Sequence, residues 1–255
     1  MIEQLAPPTD GGSIPTSPLQ KLEIRPISIE EHMVLVNRWH YSKVKPRLTK
    51  LCLGGFSPSG ELIISVSLGW GVRPVHTIKK LFPDLGTSDY YEIGKLCAND
   101  AAPKNTESMF LGLMLRWLKK NRPQLKVIFT WADGIWGKPG YIYQAANFLY
   151  GGFIWTDRYI DDQGRLVHPR QLLGARKDGK KSRLSVLELK QYHWQHIWGK
   201  QFRYVYFLGK PLSSPFVWGR TYPKNKDIEW YFAGHSNEKS QDRPAFVGCF
   251  QKGLS

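Results

Sequence analysis

The chain has 255 residues, with 36 Lys+Arg against 21 Asp+Glu and a formal charge of +15 at pH 7. With 42 % hydrophobic and 13 % aromatic residues it is too rich in core formers for a disordered basic tail, and its length fits one domain or two small ones. Cys52, Cys97 and Cys249 are too few and too scattered for a disulfide framework or a CxxC zinc array. No run approaches the ~20 apolar residues of a membrane span, and the N-terminus lacks a basic-then-apolar signal region, so a cytoplasmic location is expected. Basic charge combined with ten Trp points to an acidic partner, most simply a nucleic acid.

Residues 1–20 are rich in Pro, Gly, Ser and Thr and read as a disordered arm. The alternation in LEIRPIS predicts a strand from Leu22, and the spacing of Met33, Val36 and Trp39 predicts a helix over Ile29–Trp39. Residues 51–70 read as a hairpin turning at SPSG. A short helix over Thr77–Phe82 and a strand in YYEIGKLCAND follow. The clearest helix comes next: Asn105 is placed to cap it, Phe110, Leu113, Met114, Trp117 and Leu118 form its apolar stripe, and Pro123 stops it.

LKVIFTWAD is apolar and β-branched enough for a central strand. A shorter helix is expected over Tyr141–Tyr150, closed by Gly151-Gly152, and a hairpin turning at Asp162–Gly164. SVLELKQYHWQHIW reads as helix, and FRYVYFL reads as strand. This order predicts an α/β (α+β) fold, a mixed central sheet flanked by helices over residues 21–210, with an irregular basic extension over 211–255. The same order is typical of the acetyltransferase-like (GNAT) fold.

Several blocks carry a more specific pattern. They are Trp39-His40-Tyr41-Ser42-Lys43 with Pro46; Glu92-Ile93-Gly94-Lys95-Leu96 running on through Asp100 to Asn105; and Ser108-x-Phe110-Leu111-Gly112 with Leu115-Arg116. The last is Trp131-Ala132-Asp133, followed by Gly140-x-Ile142-Tyr143-Gln144-Ala145-Ala146-Asn147-Phe148 and Tyr150-x-Gly152. In order and spacing, over roughly residues 22–175, these blocks resemble the Mom family of bacteriophage DNA-modification proteins. The resemblance implies an enzyme that converts adenine in phage DNA to a carbamoylmethylated form and so blocks host restriction. It places His40, Tyr41, Asp133 and Tyr143 in the active site. It also implies a bound divalent metal, iron rather than zinc, with His40 and Asp133 nearby.

The residue types suit such chemistry. His40, within the basic stretch of Lys43, Lys45, Arg47 and Lys50, is suited to act as general base or neutral imidazole ligand, or else as an ordinary helix-end histidine. Asp133 ends an apolar strand at the mouth of a sheet, where α/β proteins place ligands, but Asp before Gly134 is also a common turn. Tyr143 and Tyr41 serve equally as hydrogen-bonding or core residues. Trp39, Trp131 and Trp136 are candidate walls for an extruded base. His193 and His196, spaced HxxH, lack a third ligand and are not expected to bind metal.

The segment 165–183 holds seven cations, of which Arg170, Arg176, Lys177, Lys180, Lys181 and Arg183 join Lys43, Lys45 and Arg47 as expected phosphate contacts. The donor is expected near Lys104, Asn105, Ser108 and Arg116. The loop Asp100–Ser108 contains no glycine, unlike the acetyltransferase loop that holds the CoA pyrophosphate, which leaves two donor classes: acetyl-CoA, or an aminoacyl-tRNA such as glycyl-tRNA. Double-stranded DNA is the expected partner, with tRNA and a second copy of the chain as further candidates. Two rival readings are an acyltransferase acting on a small amine or protein, and a nucleic-acid-binding protein without catalysis.

Overall fold

The computed structural model describes residues 22–168, 173–175, 181–183, 191–192, 194–232, 239–240 and 242–246. Strand β1 (Glu23–Ile27) leads into helix α1 (Ile29–Trp39), whose capping box is complete. Ser28 accepts from the Glu31 N–H at 3.0 Å, and the Glu31 carboxylate accepts from the Ser28 N–H at 2.7 Å. The hairpin β2 (Thr49–Phe56) and β3 (Leu62–Gly69) is followed by α2 (Pro74–Leu81) and β4 (Tyr90–Ala98). Then come α3 (Thr106–Asn121), β5 (Val127–Asp133), α4 (Tyr141–Ala145), β6 (Leu149–Ile160) and β7 (Leu166–Val167). Two short strands, β8 (Leu173–Ala175) and β9 (Lys181–Arg183), pair with each other. The long β10 (Gln195–Phe207), β11 (Trp230–Phe232) and β12 (Lys239–Ser240) complete the described elements.

The main sheet has ten strands in the order β1-β2-β3-β4-β5-β10-β11-β12, with β6 on β10 and β7 on β6. It is mixed, as predicted: β4 and β5 run parallel, and the other pairings are antiparallel. One face packs on α3, through Phe110, Leu111, Met114, Leu115 and Leu118 against Ile64, Val66, Leu68, Ile93 and Ile128. The opposite face is covered in two parts. Leu35 and Val36 of α1 meet Cys97, while Ile78 and Leu81 of α2 meet Tyr90, Val127, Phe129 and Val205. Alternate strand residues therefore feed the two cores, as the two-residue period of a strand requires.

Three local expectations need correction. The helix expected over 141–150 ends at Ala145, because Asn147 takes a left-handed backbone (φ 62°) and Leu149 and Tyr150 already pair with Val205 and Tyr204 of β10. The helix expected over 185–198 is strand at its end. Gln195–Trp198 pair with Asp157–Ile160 of β6, so His196 lies on a strand; His193 lies outside the described residues. Here the sheet, with β6 on one side and β11 on the other, overrides a local pattern that also fits a helix. Asn105 does precede α3, but in a left-handed conformation (φ 70°) and without a side-chain cap; instead the Thr106 hydroxyl donates to Pro103 O. In the expected extension, Phe216 and Trp218 join the α2 core and Trp230 joins the α3 core. The expected arm, 1–20, lies outside the described residues.

Candidate active site

The parallel ladder between β4 and β5 holds only where Tyr90–Glu92 pair with Val127–Phe129. Beyond that point the strands part, and a cavity of about 950 Å³ opens between them, lined by Ile93–Ala98 and by Trp131–Asp133. Because neighbouring strand residues face opposite ways, the gap is lined from both faces of the sheet. Lys95 and Cys97 line it on the α1 side, and Leu96 and Ala98 on the α3 side. The rest of the wall comes from Trp39, His40, Tyr41 and Lys43 after α1, from Asp100 and Glu107 at the start of α3, and from Gly137–Tyr143.

His40 sits where α1 stops, its backbone N–H still donating to Val36 O at 3.1 Å. Its ring stacks on Tyr41 at 4.3 Å, and Tyr41 in turn packs on Trp136 at 4.6 Å. Nδ1 lies 3.0 Å from both the Ser42 N–H, which can donate to it, and Ser42 O, so the Ser42 backbone holds the ring in place in either tautomer. The ammonium of Lys95, itself buried, donates to the same carbonyl at 2.8 Å and pins the loop that carries His40. Burial, then the Lys95 and Lys138 charges, hold the imidazole neutral, with its pKa down to about 3.

Asp133 closes β5 and caps the following turn, accepting from the Ile135 N–H at 3.1 Å. Arg158 of β6 approaches its other oxygen at 3.9 Å. Burial pushes the carboxyl up, while Arg158, the Ile135 N–H and Lys138 pull it down. Gly134 follows because a Cβ there would lie 2.4 Å from Lys200 O. Asp133 is thus a turn aspartate whose side chain also faces the cavity. Tyr143 is buried on the α3 side between Phe148 and Tyr204, at 5.6 Å from each ring, and burial raises its hydroxyl pKa.

The four expected catalytic residues therefore line one cavity, although no hydrogen bond joins His40 to Asp133. Trp39 and Trp131 line it too; Trp136 stands behind Tyr41, wedged against Phe246. Of the expected donor contacts, none lines the cavity. Lys104, Asn105 and Arg116 are exposed, and the Ser108 hydroxyl donates to Asn105 O at 3.1 Å. Asp100 and Glu107 take that part of the wall.

Among the expected DNA contacts, Lys43 reaches Val36 O at 3.3 Å and lines the cavity, Lys45 pairs with Glu30 at 3.7 Å, and Arg47 is exposed. Arg170, Arg176, Lys177 and Lys180 lie outside the described residues, and for Lys181 and Arg183 only the strand β9 is described. Sequence reasoning passed over Lys95, Lys138 and Arg158. A lysine inside the mostly apolar strand YYEIGKLCA was the available signal for Lys95; Arg158 becomes a neighbour of Asp133 only through the pairing of β6, β10 and β5.

As an expected metal pair, His40 and Asp133 have no third ligand beside them among the described residues. Among the described residues no three His, Cys, Asp or Glu side chains come together to hold an ion. The charges facing the pair are cationic: Lys95 and Lys138 toward His40, Arg158 and Lys138 toward Asp133. Among the described residues, no helix is long and apolar enough to cross a membrane.

Comparison with known proteins gives one family and one fold likeness. The chain is 24 % identical over 209 residues to the protein named methylcarbamoylase mom of Escherichia phage Mu, covering 80 % of this chain and 85 % of that one. Solved N-acetyltransferases superpose distantly. An enzyme from Staphylococcus aureus Mu50 is 12 % identical with a TM-score of 0.38, covering 74 % of this chain and 98 % of that one. A spermidine N-acetyltransferase from Vibrio cholerae is 10 % identical with a TM-score of 0.42, covering 73 % and 95 %. Likenesses this distant carry no weight for the chemistry. The pattern of one family runs over residues 21–224, through the strands and helices that line the cavity, and the chain belongs to the Mom protein family.

Proposed function

We propose that the chain is a DNA-modifying transferase that converts adenine in DNA to N6-carbamoylmethyl-adenine, acting where phage and host DNA lie, in the host cytoplasm, and protecting phage DNA from restriction. The observation that carries this reading is the cavity between β4 and β5, lined from both sheet faces, with His40, Tyr41 and Asp133 on its wall and Tyr143 buried beside them. A cavity of about 950 Å³ lined from both sheet faces has room for a donor and an acceptor base to meet within it. The family and the name of the phage Mu relative support the same product. Reaching the amine of a base-paired adenine requires extruding the base, and Trp39, Trp131 and Tyr41 offer apolar faces to receive it.

In the free protein His40 is neutral at physiological pH and open to a proton, but burial and its two cationic neighbours make it a weak base. A bound anionic substrate that neutralises Lys138 on the cavity wall raises its basicity at the moment a proton must leave the adenine amine. Asp133, held by the Ile135 N–H and Arg158, orients the acceptor, and the Tyr143 hydroxyl supplies a donor on the α3 side.

A glycyl donor gives the product without oxidation. Attack of the adenine amine on the glycyl ester forms an amide and releases the tRNA hydroxyl. The glycyl amine then attacks C6 through a five-membered ring, and the C6–N bond to the original nitrogen breaks. That nitrogen leaves as the terminal carboxamide, so every atom of the glycyl amide is kept. The carboxylates Asp100 and Glu107 on the wall near α3, in place of a glycine loop, favour this donor over the phosphates of CoA.

Nucleoside mass spectrometry of plasmid DNA from expressing cells tests the function: a new adenine adduct is expected, lost in His40→Ala and in Asp133→Ala. Unmodified DNA with tight, salt-sensitive binding would instead support a non-catalytic DNA-binding protein. With glycine labelled at nitrogen, the label is expected on the nitrogen attached to the ring; label in the terminal amide excludes the glycyl route.

A further inference from the structure

The loop that leaves the cavity after His40 ends in a feature the chemistry does not use. Pro46 packs against Gly94 of the cavity wall, where a Cβ would come within 3.2 Å of the proline ring. Two residues on, Leu48 adopts a left-handed backbone (φ 58°) and leaves its side chain 47 % exposed. It stands among the exposed cations Lys45, Arg47 and Lys50. Glycine would supply that backbone shape without strain, so the turn alone does not account for a leucine there.

The tip is held firmly. Leu48 O accepts from the Trp70 N–H at 3.3 Å, and Gly69 packs so closely that a Cβ would lie 2.3 Å from the same oxygen. The adjoining loop after β3 presents Val72, 57 % exposed, its carbonyl accepting from the Thr77 hydroxyl at 3.2 Å. Two anchored apolar tips therefore project from a basic rim beside a cavity.

We propose that Leu48, with Val72 on the adjoining loop, is an insertion wedge that enters the DNA stack and fills the gap left by the extruded adenine. The proposal rests on the reading of DNA adenine as substrate. Proteins that unstack duplex DNA insert apolar side chains between base steps, flanked by cations that hold the phosphates. The exposed charge around Leu48 selects a polyanion as the occupant of this surface. A wedge matters only where a base must be taken out of a duplex, and an unpaired adenine needs none.

The test uses clarified lysates of expressing cells, which supply the donor, and two added DNAs: a duplex plasmid and the single-stranded circle of the same sequence. The adenine adduct is quantified on each. Wild type is expected to modify both. Leu48→Ala is expected to lose at least tenfold on the duplex while staying within about twofold on the single strand, and Leu48→Met, which keeps the bulk, to retain duplex activity. Equal loss on both DNAs would overturn the wedge in favour of a structural role. Full duplex activity of Leu48→Ala would overturn it in favour of another use of the apolar tips, such as docking a protein. Wild type that modifies neither DNA would overturn the function itself, a result distinct from either.

Discussion

Glu92 is a carboxylate whose surroundings suit its charge poorly. It sits on β4 at the last rung before the strands part, on the same face as Tyr90 and Trp131, with its carboxylate pressed against Gly71. A Cβ on Gly71 would lie 2.0 Å from a Glu92 oxygen, so that glycine, itself at φ 62°, exists to make room. Burial pushes the Glu92 pKa up to about 7 from an ordinary 4.5. A folded-state pKa above the unfolded value means stability present below pH 4.5 and lost progressively as pH rises to 7. Glu92→Gln removes that loss. It is expected to stabilise the protein by about 2–3 kcal/mol at pH 8 and by little at pH 4.5, read from denaturant midpoints at the two pH values. His40 has the opposite sign: its depressed pKa makes stability fall as pH drops below about 6.5. From sequence, His40 and Asp133 were singled out through the family's spacing, whereas Glu92 was only the first residue of another block and was given no role. Its burial depends on where the loop after β3 folds back.

At the scale of elements, what was legible followed local chemistry. The apolar spacing of α1, the apolar stripe of α3 and the run of β5 each specify one conformation, and each forms as read. The errors came where partners distant in sequence decide. Gln195–Trp198 became strand because β6 and β11 offered pairing on both sides, and α4 stopped after five residues because its continuation was claimed by β10. The mouth of the sheet at Asp133 was legible, but the cavity's shape was not, since it exists through the failure of β4 and β5 to stay paired. The joint between cavity and α4 is Gly140, at φ 96°, where a Cβ would come within 2.6 Å of the Tyr204 ring and 2.9 Å of the Ala132 Cβ. Tyr204 donates to Pro139 O and accepts from the Gln144 side chain at 3.0 Å, so it ties both ends of that corner together. Gly140→Ala therefore combines left-handed strain with overpacking. A loss of roughly 2–4 kcal/mol is expected, with the midpoint shifted, the denaturant slope unchanged and modification reduced as Tyr143 is displaced.

Over the whole molecule, the excess of positive charge is spread in a way that decides what it can do. Lys95 and Lys200 are buried: Lys95 fixes the His40 loop, and Lys200 pairs with Glu229 at 3.1 Å. Arg203 is buried too, donating to Gly151 O at 2.9 Å beneath Phe216. These cations stabilise the fold and are not placed to meet a phosphate. Those of the rim after α1 are exposed, but unequally free, since Lys45 already pairs with Glu30 and Lys50 lies 4.0 Å from the Trp70 ring centroid. Each phosphate neutralised by a free cation contributes about 0.9 to the slope of log K against log salt, and a cation with a partner in the free protein contributes less. Replacing Lys45, Arg47 and Lys50 by Gln should therefore lower the slope for duplex DNA by between about 1 and 2.7, with Arg47→Gln alone giving close to 0.9. Fluorescence anisotropy with a labelled duplex across a salt series measures this. An unchanged slope in the triple variant would move the DNA track away from the rim and onto the segment 165–183. The loss should also be nearly the same for any duplex sequence, because phosphate contacts carry position and not sequence.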